Sequence, residues 1–355
     1  MTDAELVEIL GEIPDPELGQ TLEQLGMLES ATIDGDGRVR VVVQLPTPAY
    51  PDRQRIAEAV RAVVGDRVGE AGEVEVEFTH VVRGVGSGGK IGLRVANVIA
   101  VGSGKGGVGK STVSAGLAFA LKASGARVGL MDADVYGPSI PHLLGARGEP
   151  TILERTGDDG QKVQRIQPVD VDGLKLMSMG FHIDTDQAVI WRGPLLHRTL
   201  TQFLQSTDWG ELDYLVIDLP PGTGDVALTI SQLLSLAGAV IVCTPQQVAL
   251  LDARKAISMF REVKIPVLGI VENMSGEMFG RGGARQLAEK LELPFLGELA
   301  AEPEVRILGD AGRAADLVAD ECPVAAELVA ISERVAIEIA RQVIDSPGLP
   351  ELEIL

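Results

Sequence analysis

From Val95 onward, short runs of consecutive apolar residues alternate with longer stretches in which apolar positions recur every three or four residues. The runs NVIAV, RVGLMD, DYLVIDLP, AVIVCTP and VLGIVEN are rich in Val, Ile and Leu, the composition of parallel strands buried on both faces. Between them, TVSAGLAFALKASG and VALLDARKAISMFREV have helical spacing, the first closed by Gly125 as a C-cap. Repeated strand–helix alternation predicts an α/β domain built on a doubly wound, mostly parallel sheet, with ligands at the carboxyl ends of its strands.

The first 82 residues have another rhythm. AELVEILGEI has helical spacing and ends near Pro14; ATIDGDGRVRVVVQL reads as two strands around an Asp-Gly turn; DRQRIAEAVRAVV is helical and VEVEFTHVV alternates like a strand. The expected organisation is a small α+β domain over residues 1–82, a glycine-rich linker over 83–94, an α/β domain over 95–345 and a tail over 346–355. There is no internal repeat of solenoid period.

Composition narrows the function classes. A chain of 355 residues, 45% hydrophobic, can bury a sizeable core. Its 31 basic and 51 acidic side chains give a formal charge of −20, which repels nucleic acid and anionic lipid at long range. No apolar run approaches the ~20 residues that span a bilayer, and the acidic MTDAELVEIL lacks the basic start of a signal peptide. The expectation is a cytoplasmic protein with neither a nucleic-acid nor a membrane partner. Two cysteines, Cys243 and Cys322, and four scattered histidines build neither a disulfide framework nor a zinc module.

The chemistry concentrates in GSGKGGVGKST, residues 102–112. Gly104 to Ser111 has the spacing Gly-x-x-x-x-Gly-Lys-Ser and lies between the strand NVIAV and a helix expected to open at Thr112. In such a loop, Gly104, Gly106, Gly107, Val108, Gly109 and Thr112 let backbone N–H groups surround an anion at a helix N-terminus. Lys110 reaches the β- and γ-phosphates, and the Ser111 hydroxyl ligates Mg²⁺. Lys105 exceeds what the spacing needs: it is either solvated or contacts phosphate from another direction. Asp132 and Asp134 follow a strand in RVGLMDADVYGPSIP, where carboxylates can orient an attacking water. Asp218 ends the strand DYLVID as a second Mg²⁺ ligand, and the PPGTGD turn after it is placed to sense the γ-phosphate.

KGGVGKST with its extra lysine resembles the deviant Walker A loop of the ParA/MinD class of ATPases. That resemblance implies a homodimer facing across two ATP molecules, with Lys105 reaching the partner's site and stabilising charge on the transferring phosphoryl group. DADVYGPSIPHLLG, WRGPLLHRTLTQFL, LDYLVIDLPPGTGD, TPQQVALLDARKAI and GIVENMS are similar to the hallmark segments of the Mrp/ApbC branch, the iron–sulfur cluster carrier ATPases. IPDPELG, residues 13–19, resembles the accessory iron–sulfur assembly domain fused ahead of such ATPases. The likeness implies ATP and Mg²⁺ as cofactors, an adenine contact for Asn273, iron–sulfur assembly or recipient proteins as partners, and a [4Fe–4S] cluster bridging two subunits.

The chain departs from the branch at its thiols. Members carry a Cys-x-x-Cys pair just after the segment matching GIVENMS, and the accessory domain has a cysteine where this chain reads LPTPAYPDR; both are absent. No iron–sulfur ligand is identified: Cys243 lies inside an apolar strand and Cys322 is a lone thiol. Three classes remain open: an ATP-dependent cluster carrier or scaffold, a cluster-free ATPase switch that recruits a protein partner, and a MinD-like positioning ATPase. The last needs a basic amphipathic tail, whereas PVAAELVAISERVAIEIARQVID is acidic.

Overall fold

The computed structural model describes residues 2–68, 73–84, 86, 91–156, 162–181, 193–222 and 224–345. Part of the expected linker and all of the expected tail 346–355 lie outside the described residues. The chain divides into two compact units, one of Met1–Arg83 with Ala336–Leu355 and one of Gly84–Val335.

The first unit contains α1 (Asp3–Gly11), β1 (Leu28–Ile33), β2 (Val39–Leu45), α2 (Arg53–Val68) and β3 (Val74–His80). Thr2 starts α1 with a capping box, its side chain accepting from the Glu5 N–H while the Glu5 carboxylate accepts from the Thr2 N–H. The helix stops at Gly11, ahead of Pro14, which instead forms an isolated bridge with Thr21. The three strands lie in the order β1-β2-β3, antiparallel then parallel. Along β2, Val39, Val41, Val43 and Leu45 are buried in alternation, so one face packs with Leu6, Leu10, Ile56, Val60 and Val64 of the helices. Ile337, near the C-terminal end of the chain, belongs to the same core.

The second unit runs through β4 (Val95–Gly102), α3 (Lys110–Ala123), β5 (Val128–Asp132), α4 (Ile140–Leu143), β6 (Thr151–Thr156), β7 (Lys162–Gln167), β8 (Val169–Val171) and β9 (Leu174–Ser178). It continues through α5 (Gly193–Ser206), β10 (Leu212–Asp218), α6 (Gly224–Leu233), β11 (Gly238–Cys243), α7 (Gln247–Glu262), β12 (Val267–Ser275), α8 (Gly283–Leu291), β13 (Phe295–Ala300), α9 (Pro303–Asp310) and the start of α10 (Ala325–Asp345). The large sheet has the order β13-β12-β11-β4-β10-β5-β9-β8, parallel except for the β8–β9 pair at one edge. Every residue of β5, β10 and β11 is buried, which explains their unbroken apolar runs. From β4 the chain winds first toward β5 and β9, then through β10 to the opposite side through β11, β12 and β13. The direction therefore reverses around β4 and β10, whose carboxyl ends frame the crevice where ligands of such sheets bind.

One boundary needs correction. The helix after the glycine loop begins at Lys110, not Thr112. Gly109, at φ 78°, turns the chain in the left-handed region and serves as N-cap without a side chain, so no Ser or Thr marks the start. Gly125, at φ 105°, ends the helix, with its N–H bonded to Lys122 O and the Ala126 N–H to Leu121 O.

Candidate functional site: a phosphate loop at the sheet's reversal

The loop leaves β4 at Gly102 and is held from below at several points. Ser103, buried, donates its hydroxyl to Lys105 O at 2.9 Å. A β-carbon at Gly104 would lie 2.1 Å from the Asp252 carbonyl carbon, so the loop rests directly on the α7 backbone and only glycine fits. Val108 is buried, and its carbonyl accepts a 2.8 Å hydrogen bond from Asn273 Nδ2. The N–H groups of the first α3 turn have no intrahelical acceptor, and Gly109 offers no capping side chain. Together with the helix dipole they form an anion site.

Beneath this rim the charges are buried and paired. Lys110 Nζ lies 2.8 Å from Asp218 Oδ2 and 3.8 Å from Asp134 Oδ2, with Asp218 wholly buried. The Ser111 hydroxyl donates to Asp218 Oδ2 at 2.6 Å, and the Ser114 hydroxyl lies 2.6 Å from Asp218 Oδ1 and 3.0 Å from Lys110 O. Removing one member of a buried ion pair leaves an uncompensated charge, typically at a cost of about 3–5 kcal/mol. Ser111 Oγ and Asp218 Oδ2 are hard oxygen donors on one point, a donor set that fits magnesium rather than a soft metal.

Asp134 and Asp132 face different partners. Asp134 faces Lys110 with Oδ2, while its Oδ1 accepts from the Tyr136 and Gly137 N–H groups, both at 3.1 Å. Asp132 turns away from the loop: Oδ1 accepts from Asp134 N at 3.1 Å, and Oδ2 accepts from Ile140 N at 3.2 Å and Ser178 Oγ at 3.0 Å. Burial, followed by repulsion from the Asp218 carboxylate, pushes Asp132 up to about 7.

Lys105 is half exposed, and its ammonium has no partner among the described residues. Thr112 is half-buried in the first turn of α3. The turn after Asp218 folds against the loop through a 3.0 Å bond from Gly222 N to Ser103 O; Thr223 of that turn lies outside the described residues. Asn273, expected near adenine, has its amide nitrogen engaged with the loop itself. Sequence reasoning missed Ser114, Ser178 and Glu272. Ser114 stands one helical turn beyond Lys110 and was legible from that spacing; Ser178 ends a strand that the apolar pattern did not reveal.

The segment where the resembled branch carries its thiol pair is a tight turn. Gly276 and Gly280 exchange two backbone hydrogen bonds of 2.9 and 2.7 Å, which places Met278 at the tip, 85% exposed. The buried Glu272 carboxylate accepts from Gly282 N and Ala284 N, both at 2.7 Å, and so closes the N-terminus of α8. Cys243 and Cys322 are both buried and unbonded to each other. Burial, and then the neighbouring Glu272 carboxylate, pushes the Cys243 thiol up to about 12. In the first unit the IPDPELG and LPTPAYPDR motifs meet: Tyr50 donates its hydroxyl to Asp15 Oδ2 at 2.5 Å, and both side chains are buried. Among the described residues no cluster of three or more His, Cys, Asp or Glu could hold a metal.

A glycine loop between a central parallel strand and a helix, with a buried lysine, a hydroxyl and a strand-end carboxylate converging below it, defines a P-loop NTPase. The chain belongs to the family described as NUBPL iron-transfer P-loop NTPase, which residues 94–336 match, and residues 3–78 match the family described as iron-sulfur cluster assembly protein. The iron-sulfur cluster carrier protein of Deinococcus radiodurans is 44% identical, over 99% of both chains. That of Synechocystis is 42% identical, over 94% of this chain and 97% of the other. A nucleotide-binding protein of Archaeoglobus fulgidus, solved with ADP, is 40% identical over 63% of this chain and 89% of its own, with a TM-score of 0.53. The cell division ATPase MinD of Pyrococcus furiosus, 23% identical over 67% of this chain and 98% of its own at a TM-score of 0.51, shares the fold. Among the described residues no helix is long and apolar enough to cross a membrane.

Proposed function

We propose that this chain binds and slowly hydrolyses ATP and acts in iron–sulfur cluster assembly or transfer as an ATP-dependent homodimer. The observation that carries the ATPase reading is the convergence of Lys110, Ser111 and Asp218 within 2.8 Å contacts under an open glycine loop. Lys110 would exchange its contact with Asp218 for the β- and γ-phosphate oxygens, Ser111 and Asp218 would hold magnesium, and the loop N–H groups would carry the remaining anionic charge. A magnesium ion there supplies positive charge to the phosphate oxygens. Asp134, 3.8 Å from Lys110 Nζ, orients the attacking water. Lys105, half exposed, completes the partner's site in the dimer and stabilises charge developing on the γ-phosphoryl group. Asn273 supports the loop through Val108, and on this reading it also contacts adenine.

The iron–sulfur role rests on relatives that are named carriers over the full chain. A second reading is favoured by a specific observation: the residues present do not fit a cluster as cargo. Such clusters are held by four thiolates, whereas the β12–α8 turn carries no cysteine and the two thiols of the chain are buried. On that reading the protein is a cluster-free ATPase switch, and the assembly or recipient proteins it engages supply the sulfur ligands.

The deciding experiment combines Mg²⁺-dependent ATP turnover with anaerobic reconstitution by iron and sulfide. ATP turnover without a chromophore that survives gel filtration is the expected result and selects the switch. A stable chromophore with about four irons per dimer, lost in Cys243→Ser and Cys322→Ser, would instead make the protein a carrier. Loss of no activity in Lys110→Ala would overturn the ATPase site.

A further inference from the structure

Ser178 has a buried hydroxyl at the carboxyl end of β9, away from the phosphate loop, and it is bonded on both sides. It donates to Asp132 Oδ2 at 3.0 Å and accepts from Gly180 N at 2.9 Å. Asp132 in turn accepts from the backbone N–H of Asp134 and from that of Ile140, the two ends of the segment that carries Asp134. The same segment is meshed with the turn after β9: a β-carbon at Gly180 would lie 3.2 Å from both Pro138 Cβ and Ser178 Oγ. A wholly buried carboxylate in contact with a second carboxylate field is costly unless its acceptors are filled. Beside the two backbone N–H groups of Asp132's own segment, Ser178 supplies the one side-chain donor to Asp132 shown among the described residues, and it comes from another strand.

We propose that Ser178 is a positioning residue for ATP hydrolysis, holding Asp132 in the orientation that fixes the backbone of Asp134, and so the direction of the Asp134 carboxylate toward Lys110. The proposal rests on the reading of Asp134 as the water-orienting group. The Ser178 hydroxyl bonds Asp132 and Gly180 rather than Lys110, Ser111 or Asp218, so its loss should leave ground-state binding intact and weaken only the geometry that the transition state requires.

The test is a double-mutant cycle on the full chain with Mg²⁺ and ATP: wild type, Ser178→Ala, Asp134→Asn and the double variant. Turnover, KM, equilibrium affinity for a slowly hydrolysed ATP analogue and the thermal midpoint are measured for each. Ser178→Ala is expected to lower kcat about tenfold, the loss of one hydrogen bond to a charged group, while KM and analogue affinity stay within about twofold. In the Asp134→Asn background the same substitution should change kcat little, because the group it positions has already gone. Independent, multiplying losses in the double variant, or a wild-type kcat in Ser178→Ala, would overturn the relay and leave the Asp134 reading standing. Wild-type turnover in Asp134→Asn would remove that reading and the relay with it. Gly180→Ala, which crowds Ser178 Oγ and Pro138 from the other side, carries the test on the same criteria should Ser178→Ala not fold.

Discussion

Two places in the large sheet use one backbone device to opposite ends. After β4 and after β12 the chain leaves a buried strand, passes through glycines and enters a helix whose N-cap is a left-handed glycine, Gly109 at φ 78° and Gly282 at φ 79°. At α3 no side chain caps the helix N-terminus, and a lysine, a serine and an aspartate wait beneath it. At α8 the Glu272 carboxylate already accepts from Gly282 and Ala284. An internal carboxylate there does for the helix dipole what a phosphate does at the first site. A glycine-rich strand–loop–helix unit is therefore an anion site only where the protein has not supplied its own anion.

The sharpest way to break that comparison is through the charges of the open site. Lys105→Ala should lower turnover by about 10³-fold if it acts across the dimer as an arginine finger does, with ATP affinity of the monomer unchanged by equilibrium titration. Equal losses of affinity in Lys105→Ala and Lys110→Ala would place both lysines in one pocket. Lys110→Ala should weaken ATP binding by about a hundredfold, the loss of a buried, charge-assisted contact, as measured by calorimetry. Asp218→Asn should weaken the Mg²⁺-dependent part of binding by about tenfold and leave Mg²⁺-free binding nearly unchanged.

The closed site predicts a structural effect without a catalytic one. Glu272→Gln keeps one carbonyl acceptor for two N–H groups and should cost about 2 kcal/mol, read as a thermal midpoint lowered by a few degrees with ATP affinity retained. Cys243 beside it should show the smallest effect. An acid whose native value stands above its unfolded one contributes stability below the unfolded value and loses it as pH rises through the native value. For Cys243 that loss falls between its ordinary 9.0 and about 12. At pH 8 the native thiol should therefore resist alkylation that the unfolded chain undergoes, and rapid modification of the folded protein would contradict its burial.

Local pattern was enough to read the central strands and α7, because strands buried on both faces must be apolar throughout and a helix must repeat its apolar face. It was not enough for β8 and β9, which join the sheet at its edge. It also misjudged where α3 starts, since a glycine cap has no side chain to announce it. The glycine loop, Lys110, Ser111 and Asp218 were legible as types and spacings; their meeting was not.

What the sequence determined by itself is the strand–loop–helix order and the residue types at the loop, because phosphate geometry and backbone sterics act over a few neighbouring residues. What only the tertiary structure decided is which side chains share a charge. Lys110 and Asp218 stand 2.8 Å apart although far separated in the chain, Ser178 reaches Asp132 from another strand, and Glu272 closes α8. A buried charge takes its state from whichever groups the folded chain brings within hydrogen-bond reach, and sequence separation carries no information about that distance.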